Sequence, residues 1–290
     1  MPASLRLLAV HAHPDDESSK GAASTRLYVD RGVEVLVVSC TGGERGSLLN
    51  LSHPPVADHE MGDIRRAEMA AALEVLGVQH HWLGFIDSGL PEGDPLPPLP
   101  PGSFADLPLT EVTPALTEVI KSFRPHVITT YDENGGYPHP DHIRTHEITM
   151  AAATQAAESE IAPWQVHKIY YHHTFSRKRV ETIHNVMIAR GLPSPYSDWL
   201  DGWDEDNDVF SRVTTRVDCA DYFEFRDAAL RAHATQVDPN GPWFAVPREI
   251  EREIWPTEDF ELAWSAFEAI VPESDLFAGV VDHLGSEANV

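Results

Sequence analysis

The chain has 290 residues, 42% of them hydrophobic, which suits one large α/β domain or a domain carrying a substantial insertion. Its formal net charge of −25 argues against nucleic acid or an anionic membrane surface as a partner. Two cysteines, Cys40 and Cys219, with no CxxC pair, are too few for a disulfide framework and read as buried thiols of a reducing, cytoplasmic compartment. No stretch nears membrane-spanning length, and the amino terminus shows no apolar run long enough for a signal peptide.

The first expected strand is the apolar run from Leu5 to Val10, nearly uncharged and suited to burial on both faces. It leads into His11-Ala12-His13-Pro14-Asp15-Asp16-Glu17, where Pro14 should stop the strand at about His13. Two imidazoles and three carboxylates therefore gather at the carboxyl end of a strand, where open α/β sheets bind ligands. Capping of the next helix would account for one Asp but not for the crowd, whose charge calls for a cation.

That next helix is expected over Ser18 to Arg31, closed by Gly32, followed by the β-branched strand Val33 to Cys40. The glycine loop Thr41 to Gly46 fits neither the dinucleotide fingerprint nor the P-loop. A helix over Ile64 to Leu76 and a strand over His80 to Leu83 come next. Seven prolines between residues 91 and 108 predict a stiff surface loop that could rim the site. A helix over Thr110 to Phe123 then feeds the strand His126 to Tyr131, which opens into a second charged cluster, Asp132 to His142. The helix from Asp141 to Ala157 sets His142 and His146 one turn apart. This alternation predicts a doubly wound, Rossmann-like, mostly parallel sheet. Beyond it the sequence suggests strands at Lys168 to Phe175 and Val213 to Cys219 and a helix over Ala220 to Gln236, while the tail from Pro239 shows no clear period. The expected division is a metal-hydrolase core over 1–165 and a smaller α/β region over 166–290 that packs on the core and closes the site.

The two clusters can meet in space. His13, Asp16 and His142 would supply three ligands and leave a position for water, a set that suits zinc and that ferrous iron also accepts. Asp15 is then free to act as general base. His139 could protonate a leaving amine or hold an oxyanion, with Asp141 setting its tautomer and raising its pKa, and Tyr137 offers an O–H to the same oxyanion. The chemistry implied is metal-assisted hydrolysis of an amide or ester. His146 reads as a helix-surface residue, and His53, His59, His80 and His81 as loop or surface. Ser18 and Ser19 sit at a helix start without a GxSxG elbow, so a serine nucleophile is not indicated.

HAHPDDE followed by GGYPHPDH at Gly135 to His142 resembles the metal-dependent de-N-acetylases that act on glucosaminyl-inositol compounds and related N-acyl sugars. Longer stretches, HAHPDDESSKGAA, Cys40 to Gly46, WLGFIDSGLP, FRPHVITTYDENGGYPHPDHIR, SRVTTRV and LRAHATQ, resemble the branch of that family that cleaves S-conjugates of mycothiol. The resemblance implies hydrolysis of the amide between N-acetylcysteine and glucosamine, giving a mercapturic acid and glucosaminyl-inositol. It implies a small-molecule substrate and leaves the oligomeric state open. The nearest alternative is the branch that deacetylates N-acetylglucosaminyl-inositol. The family's metal ligands fall on His13, Asp16 and His142, its base on Asp15, and its oxyanion and acid groups on Tyr137 and His139, with Asp141 behind His139. Substrate contacts carry over to Arg65 and Asp87, and Lys20, a departure from the deacetylase branch, is a candidate for the cysteinyl arm.

Overall fold

The protein is described here by a computed structural model covering residues 4–203 and 208–287. Its first strand, β1 (Arg6–His11), is buried on both faces, and neighbouring residues go to opposite layers. Leu8 and Val10 pack with Val112, Leu116, Ile120 and Ile148, whereas Leu7 packs with Leu27, Tyr28, Phe223 and Phe260. An uninterrupted apolar run is what a central parallel strand requires, because helices cover it on both sides.

Next come α1 (Asp16–Ser19), α2 (Ala22–Asp30), β2 (Glu34–Thr41), α3 (Asp58–Leu76), β3 (Gln79–Phe85), α4 (Leu109–Phe123), β4 (Val127–Thr130) and α5 (Pro140–Glu158). The remainder is β5 (Lys168–His172), α6 (Arg177–Ala189), α7 (Ser197–Asp201), β6 (Thr215–Asp218), α8 (Phe223–Ala232), α9 (Arg248–Ile254), β7 (Thr257–Ser265) and α10 (Val280–Glu287). Among the described residues seven strands form one sheet in the order β3-β2-β1-β4-β5-β7-β6. The first five are parallel, and β7 runs antiparallel between β5 and β6. The doubly wound α/β sheet expected from the strand–helix alternation is the observed one. Its strand order reverses between β1 and β4, so a crevice opens beyond their carboxyl ends, where both charged clusters emerge.

The single helix expected over Ser18 to Arg31 is two helices. Gly21 separates them with φ +80°, and a Cβ there would stand 2.6 Å from the His172 ring. With no side chain at Gly21 to cap α2, Glu258 of β7 does so from the far end of the chain. Its carboxylate accepts from the backbone N–H of Ala23 and Ser24 and from the Ser24 hydroxyl, as helix N-termini favour. The tail that showed no period contains α9, β7 and α10. Its strand was hidden because Glu258 and Asp259 are buried acids, satisfied by α2 and by Trp255 and Arg216. The proline-rich loop has no helix or strand, yet it is pinned to the core: Phe104 is fully buried against Phe85, and Arg144 holds the Ala105 and Leu107 carbonyls.

Cys40 and Cys219 are buried free thiols. No helix among the described residues is long and apolar enough to cross a membrane. Leu8→Ala, at a fully buried position of the central strand, is expected to lower the unfolding free energy by about 2–5 kcal/mol in a urea titration.

Candidate metal centre and active site

Beyond His11 the chain leaves the sheet in a turn that returns Asp16 to the backbone just passed. Asp16 Oδ2 accepts from the His13 N–H at 3.0 Å and from the Tyr131 hydroxyl at 2.7 Å, and that hydroxyl accepts from the Ala12 N–H at 2.9 Å. Lys20 Nζ sits 2.7 Å from Oδ1. Burial opposes ionisation of Asp16, but Lys20, His142 and His13 outweigh it and hold the carboxyl well below the usual range.

The second arm comes from β4. His142 Nδ1 lies 2.9 Å from the Gly135 carbonyl, a contact that puts the proton on Nδ1 and leaves the Nε2 lone pair directed inward. Gly135 is at φ +73°, and a Cβ there would stand 2.7 Å from the His142 Cβ. His142 Nε2 is buried with no hydrogen-bond partner, and burial keeps the imidazole neutral. It lies 3.4 Å from Asp16 Oδ2, and His13 Nδ1 lies 3.6 Å from the same oxygen. Two donors on a tetrahedral zinc with bonds of about 2.0–2.1 Å stand about 3.3 Å apart, which each of these two contacts approaches, but among the described residues the three-donor sets whose atoms all lie within 4.8 Å of one another do not include this trio. His139 also presents a ring nitrogen within 4.8 Å of those of His13 and His142, and His13, Asp87 and Asp141 form a second donor set of that span.

His13 Nε2 faces Asp141 Oδ2 at 3.2 Å, and that oxygen also accepts from the Ser88 N–H. Burial would lower the His13 pKa, but Asp141, Asp16 and Asp87 together raise it well above its ordinary value. A proton on His13 and a divalent cation would answer the same crowding of negative charge, so a metal bound at this donor set would displace a proton.

Asp15 sits at φ 97°, a left-handed conformation rare for a residue with a side chain. Its N–H donates to Glu17 Oε2 at 2.9 Å, and its carboxylate meets Arg65 Nη2 at 2.9 Å. Burial raises the Asp15 pKa, Arg65 opposes the rise and Asp16 adds to it. Arg65 itself is buried, its fork taken up by Asp15 and by the Pro14 and Gly43 carbonyls. Asp87 accepts from the Arg45 and Gly89 N–H groups and stands 3.6 Å from His13 Nε2.

Several details differ from expectation. Asp141 gives its carboxylate to His13 and only its backbone N–H to His139, whose Nδ1 accepts it at 3.1 Å. The His139 pKa is pushed down to about 4, by burial first and then by the charge on His13, against the opposing pull of Asp141. Tyr137 stands over the cluster, half exposed, with its ring 4.7 Å from that of His142. Its hydroxyl is raised by burial and by Asp16 and Asp15, and so stays a neutral donor. His146 is half-buried rather than on the helix surface, its Nδ1 3.2 Å from the Tyr131 carbonyl. His80 lies in β3, 3.0 Å from the Ser39 hydroxyl.

Three supporting groups had no assigned task in the sequence reading. Tyr131 bridges the Ala12 backbone and Asp16. Glu17 Oε1 meets His233 Nε2 at 2.7 Å, both buried, with His233 emerging where α8 ends. Burial opposes charge on both, but their mutual attraction prevails: Glu17 is brought down to about 2 and His233 is raised. The signal for His233 was present in LRAHATQ, yet nothing local joins that stretch to Glu17. His11 and His172 stack 5.6 Å apart behind the centre, and burial lowers the pKa of both, that of His11 to about 4.

Residues 8–153 match the family profile PIG-L, GlcNAc-PI de-N-acetylase. The chain belongs to this family. As a de-N-acetylase family member it is an enzyme of the amide-hydrolysing class. Among its relatives, a mycothiol S-conjugate amidase of Streptomyces coelicolor is 57% identical, covering 96% of this chain and 98% of the relative. A 1D-myo-inositol 2-acetamido-2-deoxy-alpha-D-glucopyranoside deacetylase of Streptomyces avermitilis is 36% identical over 95% of this chain and 97% of its own. The fold is shared with the N,N'-diacetylchitobiose deacetylase of Pyrococcus horikoshii, at TM-score 0.61 and 20% identity over 93% of this chain and 87% of that one.

Two substitutions test the supports. Gly135→Ala is expected to displace His142 and weaken metal affinity about 10- to 100-fold, read by competition with a chelator. His233→Ala strands a buried Glu17 carboxylate and is expected to cost about 3–5 kcal/mol of unfolding free energy at neutral pH. Because Glu17 is depressed, its contribution is complete above the ordinary carboxylate value and fades as pH falls toward 2. The deficit of His233→Ala should therefore narrow in acid.

Proposed function

We propose that the protein is a zinc-dependent amidase that cleaves the cysteinyl–glucosamine amide of mycothiol S-conjugates, giving a mercapturic acid and glucosaminyl-inositol. The observation that carries this reading is the 57% identity, nearly end to end, to a mycothiol S-conjugate amidase, against 36% to the deacetylase branch. Mycothiol metabolism would make the protein cytoplasmic, detoxifying electrophiles captured as thioethers.

In this mechanism His13, Asp16 and His142 would hold the ion; the supporting features are the partnerless His142 Nε2 and the two contacts about Asp16 Oδ2. A divalent ion there supplies Lewis-acid polarisation of the amide carbonyl and acidifies water, and zinc or ferrous iron suits the N/O set. Asp15, with a raised pKa, takes a proton from the attacking water. The Tyr137 hydroxyl donates to the oxygen on which negative charge develops. His139, neutral at rest, hands a proton to the departing glucosamine nitrogen once it has received the one that Asp15 took from the attacking water. Asp141 acts on His13, fixing which nitrogen carries its proton.

Asp87, beside Arg45, is proposed to receive the sugar and inositol hydroxyls, and Lys20 to face the cysteinyl arm from its seat on Asp16. Arg65 serves that substrate through Asp15, since its fork is occupied within the protein. Residues 166–290 close the site from above, a role supported by His172, His173 and Trp243 bordering the cavity beside Lys20 and Tyr137.

Turnover of a fluorescent S-conjugate of mycothiol should vanish with a chelator, return with zinc, and yield the mercapturic acid. No conjugate turnover by the metal-loaded enzyme, with acetate released from N-acetylglucosaminyl-inositol, moves the protein to the deacetylase branch. The kcat/KM profile should have an acid limb set by Asp15. Arg65 lowers that pKa, so Arg65→Gln is expected to move the limb to higher pH; a limb that stays put removes Asp15 as the titrating base.

A further inference from the structure

The cavity against the metal cluster does not end there. An inner space of about 200 Å³ is bordered by Lys20, Tyr131 and Tyr137. It shares Ser19, His172, Thr174, Phe175 and Trp243 as walls with an outer chamber of about 300 Å³, a size at the lower end of ligand pockets of about 300–1,000 Å³.

The outer chamber is aromatic on one side. Phe175 lies 5.1 Å from Trp199 and 5.5 Å from Trp243 between ring centroids, and Tyr196 stacks on Trp199 at 6.0 Å. Trp199 is half exposed, at 47%, so apolar surface is left there for something else to cover. The opposite side is charged but self-contained. Arg179 and Arg226 both bind Glu251 at 2.9 Å, and Arg248 bridges Glu251 and Asp227. Those cations are tied to carboxylates within the protein, so the chamber is not built to capture an anion.

A polyol would find few partners on such a wall, because sugar hydroxyls need hydrogen-bonding groups of their own. Groups of that kind lie beside His13, at Asp87, Glu44 and Arg45, which border neither space. What leaves an amide carbonyl on the acyl side of a cysteinyl conjugate is Cα, Cβ, sulfur and then whatever the thiol captured.

We propose that the chamber of Phe175, Tyr196, Trp199 and Trp243 is the subsite for the S-substituent of the conjugate, and that it selects aromatic and bulky apolar groups. The inference rests on the amidase reading. Flat aromatic walls bind by area and edge-to-face contact rather than by directional hydrogen bonds, which suits a substituent whose only constant feature is the sulfur.

The test compares S-benzyl with S-methyl conjugates of mycothiol in kcat/KM, and N-acetyl-S-benzylcysteine with N-acetyl-S-methylcysteine in calorimetric binding to the holoenzyme. Wild type should favour benzyl by about tenfold or more in both assays. Trp199→Ala should abolish most of that preference and Trp199→Phe should restore much of it. If Trp199→Ala does not fold, Phe175→Leu serves in its place. Conjugate turnover with no benzyl preference, or a preference that survives in the folded Trp199→Ala protein, overturns the subsite. So does a loss in Trp199→Ala that falls equally on N-acetylglucosaminyl-inositol, because the wall would then hold the sugar. Absence of any conjugate turnover, with benzyl binding preferred and lost in Trp199→Ala, overturns the amidase reading and leaves the chamber as an aryl-thioether site.

Discussion

Negative charge buried without enough positive charge to match it is the constraint that organises this protein. Asp15, Asp16, Asp87 and Asp141 converge from three loops beyond the carboxyl ends of β1, β3 and β4, and His13 stands among them. Each carboxylate accepts from a different part of the chain, although Asp141 Oδ1 is left without a hydrogen-bond partner. Lys20 and Tyr131 serve Asp16, Arg65 serves Asp15, and backbone amides at Arg45, Gly89 and Ser88 serve Asp87 and Asp141. After those partners are counted, inward-facing donors remain around Asp16 Oδ2. A divalent cation there would balance that charge, in keeping with the proposed metal-dependent chemistry.

The fold provides this crowding by topology rather than by local sequence. In a sheet ordered 3-2-1-4-5, the chain winds outward from β1 in one direction and from β4 in the other. The loops that leave β1 and β4 therefore part to opposite faces, and the gap between them holds a ligand without any element having to bend aside. Asp15 is one of three non-glycine residues with a left-handed backbone among the described residues, beside Arg124 and Ala162, and it is held by Glu17 and Arg65.

Residues whose chemistry is announced by near neighbours were legible in the sequence. HAHPDD and PHPDH declare themselves because no packing role explains so many titratable groups after apolar strands, and the parallel sheet declares itself by alternation of strand and helix. What stayed hidden depends on partners far along the chain. Glu17 looked like one more acid until His233 arrived from 216 residues away. The strand β7 was masked because Glu258 and Asp259, which suggest a solvated surface, are neutralised by α2, Trp255 and Arg216. Asp141 was joined to the wrong histidine because its backbone and its side chain bond to different imidazoles, a distinction that spacing alone does not carry.

The capping of α2 by Glu258 bears on modularity. The family profile ends at residue 153, which invites treating the rest as an exchangeable lid. Yet the helix that follows the metal motif begins on a carboxylate from β7, and the glutamate of that motif is neutralised from the end of α8. The part that matches the family profile is thus held in shape by contacts from beyond it. A chimaera that exchanged the carboxyl-terminal region between relatives, to graft one acyl preference onto another active site, would have to bring Glu258 and His233 with it.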